Sequence, residues 1–256
     1  NLVRFSIVII SIIQVKYIMN DYIIRKKKGK SFSYYNKQGD KLKKNSINKY
    51  LDFYIPPAYN DVKINKINGK IKAIGLDDKQ RHQYIYNKKY TMKRNKLKFS
   101  ELIDFGKQYK NIYGKIQKDL YTTSETKNKQ IASILMLMIE CDFRIGNDKY
   151  KKDNNSYGVT TLEKRHVKNK SGKVIIDFIG KKGVRNICEV SNNKVITNLK
   201  RKKKTIQKTD RIFNYRKGEN YYNIKSQDVN KYLKEMGDYS SKYFRTWSAN
   251  ISLINE

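Results

Sequence analysis

The 256 residues carry 57 lysines and arginines against 23 acids, a formal net charge of +34. Such a field excludes a basic partner and points to a polyanion, because a net charge of this size draws nucleic acid from a distance. Two cysteines and two histidines argue against a zinc site, and 21 well-spaced tyrosines argue against a disordered tail. AT-rich codons would account for part of the lysine excess, but not for the shortage of acids.

In chain order, residues 5–13 form an apolar run, Phe-Ser-Ile-Val-Ile-Ile-Ser-Ile-Ile. It is too short to span a membrane, and no small-residue cleavage site follows it. The first methionine is Met19, so the native protein is expected to start near there, with residues 1–18 a leader outside the fold. Residues 22–50 are basic and polar, with a strand and turn expected over Tyr34–Gly39. Pro56 and Pro57 are the only prolines and make a rigid, extended entry to the next strand. Val62-Lys63-Ile64 and Lys70-Ile71-Lys72-Ala73-Ile74-Gly75 alternate apolar with basic, as a half-buried antiparallel sheet does, and Gln83-Tyr84-Ile85-Tyr86 continues it.

The period then changes. Phe99, Leu102, Ile103, Phe105, Tyr109, Ile112, Ile116 and Leu120 follow helical spacing, which places a domain boundary near residue 98. Thr122 and Glu125 stand at capping-box spacing, so a second helix is expected to start there. Its stripe, Ile131, Ile134, Leu135 and Met138 widened by Leu137 and Cys141, is apolar nearly all round, which marks a buried helix. Arg144 follows that helix, a rigid place from which to aim a guanidinium.

β-branched runs at 158–162, 174–179 and 184–190, broken by Asn-Lys-Ser-Gly and Gly-Lys-Lys-Gly, read as strands joined by tight turns. Lys181 therefore lies at a hairpin tip. Cys141 and Cys188 both fall in apolar elements and read as buried reduced thiols. Lys200-Arg201-Lys202-Lys203-Lys204 reads as a solvated loop. Ser226–Gly237 is a compact helix, Ser-capped and Gly-closed. A core-anchored Arg and a hairpin-tip Lys in a very basic chain suggest phosphodiester chemistry.

The order and spacing of several motifs carry a resemblance. They are Ile55-Pro56-Pro57-Ala58-Tyr59-Asn60-Asp61-Val62, Arg81-His82-Gln83-Tyr84-Ile85-Tyr86, Phe143-Arg144-Ile145-Gly146, Tyr157–Leu162, Phe178-Ile179-Gly180-Lys181, Asp228–Leu233 and Phe244-Arg245-Thr246-Trp247. Together, over about residues 22–250, the chain resembles the type IB DNA topoisomerases of the poxvirus, giant-virus and bacterial branch. The resemblance implies an attack by Tyr on a DNA phosphodiester, a 3′-phosphotyrosyl link, swivelling and resealing. It implies no cofactor, no metal and no ATP. It implies duplex DNA as partner and a monomeric enzyme without a membrane role, whose compartment is wherever its DNA lies.

Within that resemblance Arg144 and Arg245 would clamp the non-bridging phosphate oxygens with planar forks. Lys181 would protonate the leaving 5′-oxygen. Arg81, Gln83, Tyr84 and Tyr86 resemble a groove-contacting strand; the alternative is an ordinary exposed sheet face. His166 matches a structural strand and takes no catalytic role, and His82 is DNA-facing or solvated. The family's catalytic His and nucleophilic Tyr come later in the chain, whereas no Tyr follows Tyr243 here. The expectation is a chain truncated before those residues, inactive alone, with a C-terminal fragment supplied separately and apolar surface near Trp247 and Ile251 left uncovered. The expected fold is α+β: a small antiparallel lobe over 19–98, then a mainly helical lobe over 99–256 with a three-stranded hairpin sheet around Lys181. A tyrosine recombinase, disfavoured by the Ile55-Pro56-Pro57 lobe, and a non-catalytic DNA-binding remnant are the alternatives.

Overall fold

The computed structural model describes residues 19–29, 31–205 and 210–255, so the expected leader over 1–18 lies outside the described residues. The chain divides into two compact units, Asn1–Lys98 and Phe99–Glu256. Helices and antiparallel sheets occur together, an α+β fold.

The first unit is one antiparallel sheet in the order β2-β1-β3-β4-β5. The strands are β1 (Tyr22–Lys28), β2 (Ser31–Tyr35), β3 (Asn60–Asn65), β4 (Ile71–Leu76) and β5 (His82–Tyr86), with the short helix α1 (Lys44–Ile47) between β2 and β3. Alternation puts Ile23, Val62, Ile64 and Ala73 on one face, where they bury against Ile47. Inside this unit Arg25 is 5% exposed. Its guanidinium donates to the carbonyls of Ile55, Pro56 and Tyr59 at 2.9–3.2 Å, which fastens the Pro56-Pro57 segment to the sheet. It also lies 4.2 Å from the centre of the Phe32 ring. Strand β1 was not legible in the sequence, because Tyr-Ile-Ile-Arg-Lys-Lys-Lys hides one buried row beneath a run of cations.

Helix α2 spans Lys88–Tyr121, eleven residues earlier at its start than the period change at Phe99 suggests. Its first turns bury nothing, and the buried row Leu102, Phe105, Ile112, Ile116 and Leu120 begins later, so apolar periodicity marks the onset of burial and not of the helix. The second unit is built on α3 (Lys127–Cys141), which buries nine consecutive residues from Gln130 to Met138. Its N-cap is Thr126, whose hydroxyl accepts from the Lys129 N–H, in place of the expected Thr122 and Glu125 box. Gln130 and Ser133 are buried polar groups on this helix, and Asn198 satisfies both, at 3.2 and 2.9 Å.

Beyond α3 come α4 (Asp148–Asn154) and single 3₁₀ turns at Val159–Thr161 and Lys164–His166, where the sequence suggested strand. Short backbone bonds such as Thr161 to Gly158 and His166 to Glu163 hold these turns. A three-stranded sheet, β6 (Val167–Lys170), β7 (Lys173–Ile179) and β8 (Arg185–Val190), follows in that spatial order. Lys200–Lys204 is no loop. It forms the end of α5 (Asn193–Thr205), where Lys202 is buried and its ammonium donates to the Asn214 carbonyl at 2.7 Å. Cations suit a helix C-terminus, where the carbonyl ends of the dipole gather. The hairpin β9 (Asn214–Lys217) and β10 (Asn220–Asn223), then α6 (Ser226–Lys234) and α7 (Lys242–Asn255), complete the described chain.

The reading of two reduced thiols is overturned. Cys141, the last residue of α3, and Cys188, in β8, form a disulfide across 47 residues of sequence, with Cα atoms 5.8 Å apart. Composition and cell-compartment arguments carry no information on proximity, and the two elements pack side by side.

Candidate phosphate cradle and nucleic-acid face

Helix α3 ends in a left-handed cap at Asp142, φ 52°. This reverses the chain so that Phe143 turns inward, 2% exposed, while Arg144 points out. Phe143 packs edge-on against Phe178 of β7 at 4.9 Å. The Arg144 carbonyl accepts from Val159 N–H at 2.9 Å, and the Ile145 carbonyl accepts from Thr160 N–H at 2.8 Å. That pairing brings Gly158 against Gly146: a methyl group on Gly158 would lie 2.5 Å from the Gly146 backbone.

Arg245 arrives from α7. Its Nη1 donates to the carbonyl of Asp142, two residues before Arg144. Burial and the like charge of Arg144 hold its guanidinium below the usual arginine range, with the Asp142 carboxylate opposing. The structure therefore brings Arg144 and Arg245 together. Helix α7 is held by an aromatic cluster, with Phe105 5.1 Å from Phe244 and Tyr109 stacked 6.1 Å from Trp247. Gly106 lets the Trp247 ring approach, since a methyl there would lie 2.2 Å from it. Trp247 itself is half-buried, while Ile251, Leu253 and Ile254 beyond it are exposed.

Lys181 sits exposed at the tip between β7 and β8, where Lys182 and Gly183 take left-handed backbone angles and Gly180 N–H donates to the Val184 carbonyl. The tip is tied to the Arg144 turn through Tyr157 N–H, which donates to Ile179 carbonyl at 2.9 Å. Arg185 and Lys168 both grip Asp177, on β7 two residues before its end at Ile179, and hold its carboxyl far below the usual range.

His166 is interior. Its Nδ1 accepts from Glu163 N–H at 3.0 Å and its ring lies 4.5 Å from Tyr157. Burial lowers its pKa to about 4, so it stays neutral. Among the described residues no group of three His, Cys, Asp or Glu could hold a metal ion, and no helix is long and apolar enough to cross a membrane.

In the first unit the four residues of β5 and its approach fall on two faces. Tyr84 and Tyr86 share the outer face with His82, successive rings being 6.5 and 6.4 Å apart. Gln83 shares the parity of half-buried Ile85. The side chains of Arg81 and Gln83 both donate to the Asp77 carboxylate, at 2.8 and 2.9 Å. The Arg81 hydrogen bonds are the main reason the Asp77 pKa falls to about 2. Sequence reasoning missed Tyr90, which extends the outer ladder 5.8 Å from Tyr86 and has Lys70 4.9 Å from its ring centre. The signal was available as Tyr86, then one helical turn into a basic stretch.

A family profile described as eukaryotic DNA topoisomerase I, catalytic core, matches residues 87–256. A second, bacterial DNA topoisomerase IB, N-terminal domain, matches residues 31–77. The DNA topoisomerase 1B of Acanthamoeba polyphaga mimivirus is 32% identical over 241 residues, which covers 91% of this chain and 71% of that protein. The DNA topoisomerase 1 of rabbit fibroma virus is 31% identical over 132 residues, 50% of this chain and 41% of its own length. The vaccinia virus (strain Copenhagen) DNA topoisomerase 1B is 30% identical over 108 residues, 42% of this chain and 34% of its own length. With profiles matching both units and a relative 32% identical aligned over 91% of this chain and 71% of its own length, the chain belongs to the type IB DNA topoisomerase family.

Proposed function

We propose that this chain supplies the DNA grip and the phosphate cradle of a type IB topoisomerase reaction, in which supercoiled duplex DNA is nicked, swivels and is resealed. The observation that carries the reading is the meeting of Arg144 and Arg245, two like charges far apart in sequence, at one helix end. A bound anion would relieve the repulsion between them. A phosphate in transfer gathers charge on its non-bridging oxygens, and two guanidinium forks match it. Lys181, on a mobile ammonium stem, donates the proton to the departing 5′-oxygen. Gln83, Arg81 and the outer face of Tyr84 and Tyr86 contact the duplex, the tyrosines by direct contact and Arg81 after exchange of Asp77 for phosphate.

In this reading neither tyrosine beside the cradle is the nucleophile. Tyr157 accepts a hydrogen bond from Arg165 and pairs with Asn155, so its hydroxyl is engaged. Tyr243 donates to Glu101 at 2.8 Å, and burial with that bond raises its pKa to about 12. Neither suits attack.

The test is plasmid relaxation with denaturing-gel detection of a protein–DNA adduct. The 256-residue chain alone gives neither product. Adding a C-terminal segment bearing a His and a Tyr, in cis or in trans, gives both, and Arg144→Ala or Arg245→Ala removes them again. Relaxation by the chain alone would mean that one of its own tyrosines attacks.

A further inference from the structure

We propose that Cys141 and Cys188 form a reversible thiol–disulfide site that controls how far the Lys181 hairpin moves relative to the Arg144 turn; the functional importance of that movement rests on the cradle reading above. The pair accounts for both cysteines of the chain. It joins the two segments that carry the cradle. Cys141 is the residue before Asp142, which caps α3 and receives Arg245. Cys188 lies on β8, directly across from Ile176 and on the strand that leaves the Lys181 tip. Both residues are half-buried, within reach of a small thiol.

β8 is the edge of its sheet, with β7 as its one strand neighbour. Without the disulfide it is still held by its ladder to β7, by the Lys173–Glu189 ion pair and by Ser191 N–H donating to Glu140. Reduction therefore leaves the fold standing. What it removes is the covalent tie from the return strand to the core helix, leaving non-covalent contacts between turn and hairpin, among them Phe143 against Phe178 and Tyr157 N–H on the Ile179 carbonyl.

The chemistry is exchange with a cellular monothiol of the glutathione class. One glutathione thiolate attacks a cysteine sulfur, the S–S bond breaks, and the other cysteine leaves as a thiolate and takes up a proton. A second glutathione attacks the mixed disulfide, freeing the remaining cysteine and forming glutathione disulfide. Two glutathione thiols are oxidised and the protein disulfide is reduced by the same two electrons.

The experiment equilibrates the 256-residue chain in glutathione buffers of graded reduced-to-oxidised ratio. Thiols are counted by maleimide mass tagging, and trypsin cleavage after Lys181 and Lys182 is timed by mass spectrometry. Two tags should appear together as the buffer becomes reducing, with cleavage at the tip about tenfold faster in the dithiol form, a change of ~1.4 kcal/mol in tip opening. Cys188→Ser and Cys141→Ser, checked for folding by circular dichroism, should cleave at the fast rate in every buffer. Two tags at all ratios would overturn the proposal, as would equal cleavage rates in the two forms. Filter binding by Arg144→Ala tests the cradle separately: wild-type affinity there would undo the cradle reading while leaving the hairpin result intact.

Discussion

Gly158→Ala should be among the most damaging single-methyl changes in the second unit. The backbone at Gly158 is extended, φ −156°, so alanine is conformationally acceptable and only space is at issue. The new methyl would sit 2.5 Å from the Gly146 Cα and N and 2.6 Å from the Arg144 carbonyl oxygen, where ordinary contact is 3.4–4 Å. All three neighbours are backbone, so the two segments must part by about 1 Å. Overpacking of this kind costs ~1–3 kcal/mol. The parting also stretches the Val159 to Arg144 bond of 2.9 Å and the Thr160 to Ile145 bond of 2.8 Å, each worth ~0.5–1.5 kcal/mol. The total is ~2–6 kcal/mol, or a fall in Tm of about 4–24 °C for a unit of this size. The same displacement moves Arg144, so affinity for duplex DNA should drop with stability. Thermal unfolding by circular dichroism and filter binding at 15 °C measure the two effects. Gly114→Ala is the control, because nothing lies within 4 Å of its methyl and a helix interior gains up to ~1 kcal/mol from alanine. Equal melting of the Gly158 variant and wild type would refute the argument that Arg144 is aimed by this backbone contact.

His166, kept neutral by burial among Glu163, Arg165 and Lys151, has its pKa lowered to about 4. Since an unfolded histidine titrates near ~6.5, the unfolded state takes the proton first. Its contribution is full above that pH and is lost as pH falls toward 4; His166→Asn, which keeps an acceptor for Glu163 N–H, should flatten the slope of unfolding free energy between pH 6.5 and 4. Duplex binding should weaken by roughly 10³ to 10⁵ between 50 and 200 mM salt if about six to ten phosphates are contacted, and a flat titration would count against a backbone-dominated grip. Arg25→Lys should destabilise the first unit by ~2 kcal/mol or more, because an ammonium cannot serve three carbonyls in the planar arrangement of a fork; chemical denaturation of residues 1–98 as a probe-labelled unit reads it, and an unchanged midpoint would show that the Pro56-Pro57 segment holds itself.

Much of this architecture is written in periodicity. The buried run of α3 and the alternation of β3 and β4 are local signals, and burial enforces them. The places of Arg144, past a core helix end, and of Lys181, at a hairpin tip, were legible because both are local features as well. The failures were of another kind. Lys202 reads as solvated until Asn214 is found beside it. The grip of Arg81 and Gln83 on Asp77 shows only once the three are found side by side. Cys141 and Cys188 read as separate until two elements pack together. Each depends on a partner chosen by tertiary packing, which residue type and spacing do not encode.

The partners of α3 also have a consequence for synthesis. Lys127 waits for Asp228, 101 residues later, and Asp142 waits for Arg245, 103 residues later. The helix before it waits too, with Asp119 accepting from Tyr232 across 113 residues. At ~5–20 residues per second on the ribosome, the nine-residue buried run of α3 leaves the exit tunnel roughly 5–20 s before the segments that cover it. Closure of that core is therefore a late, long-range event, slow by topology. During that interval the nascent chain displays Ile131 to Met138 to solvent, and holding chaperones or slow, cool expression should decide how much of it reaches the folded state.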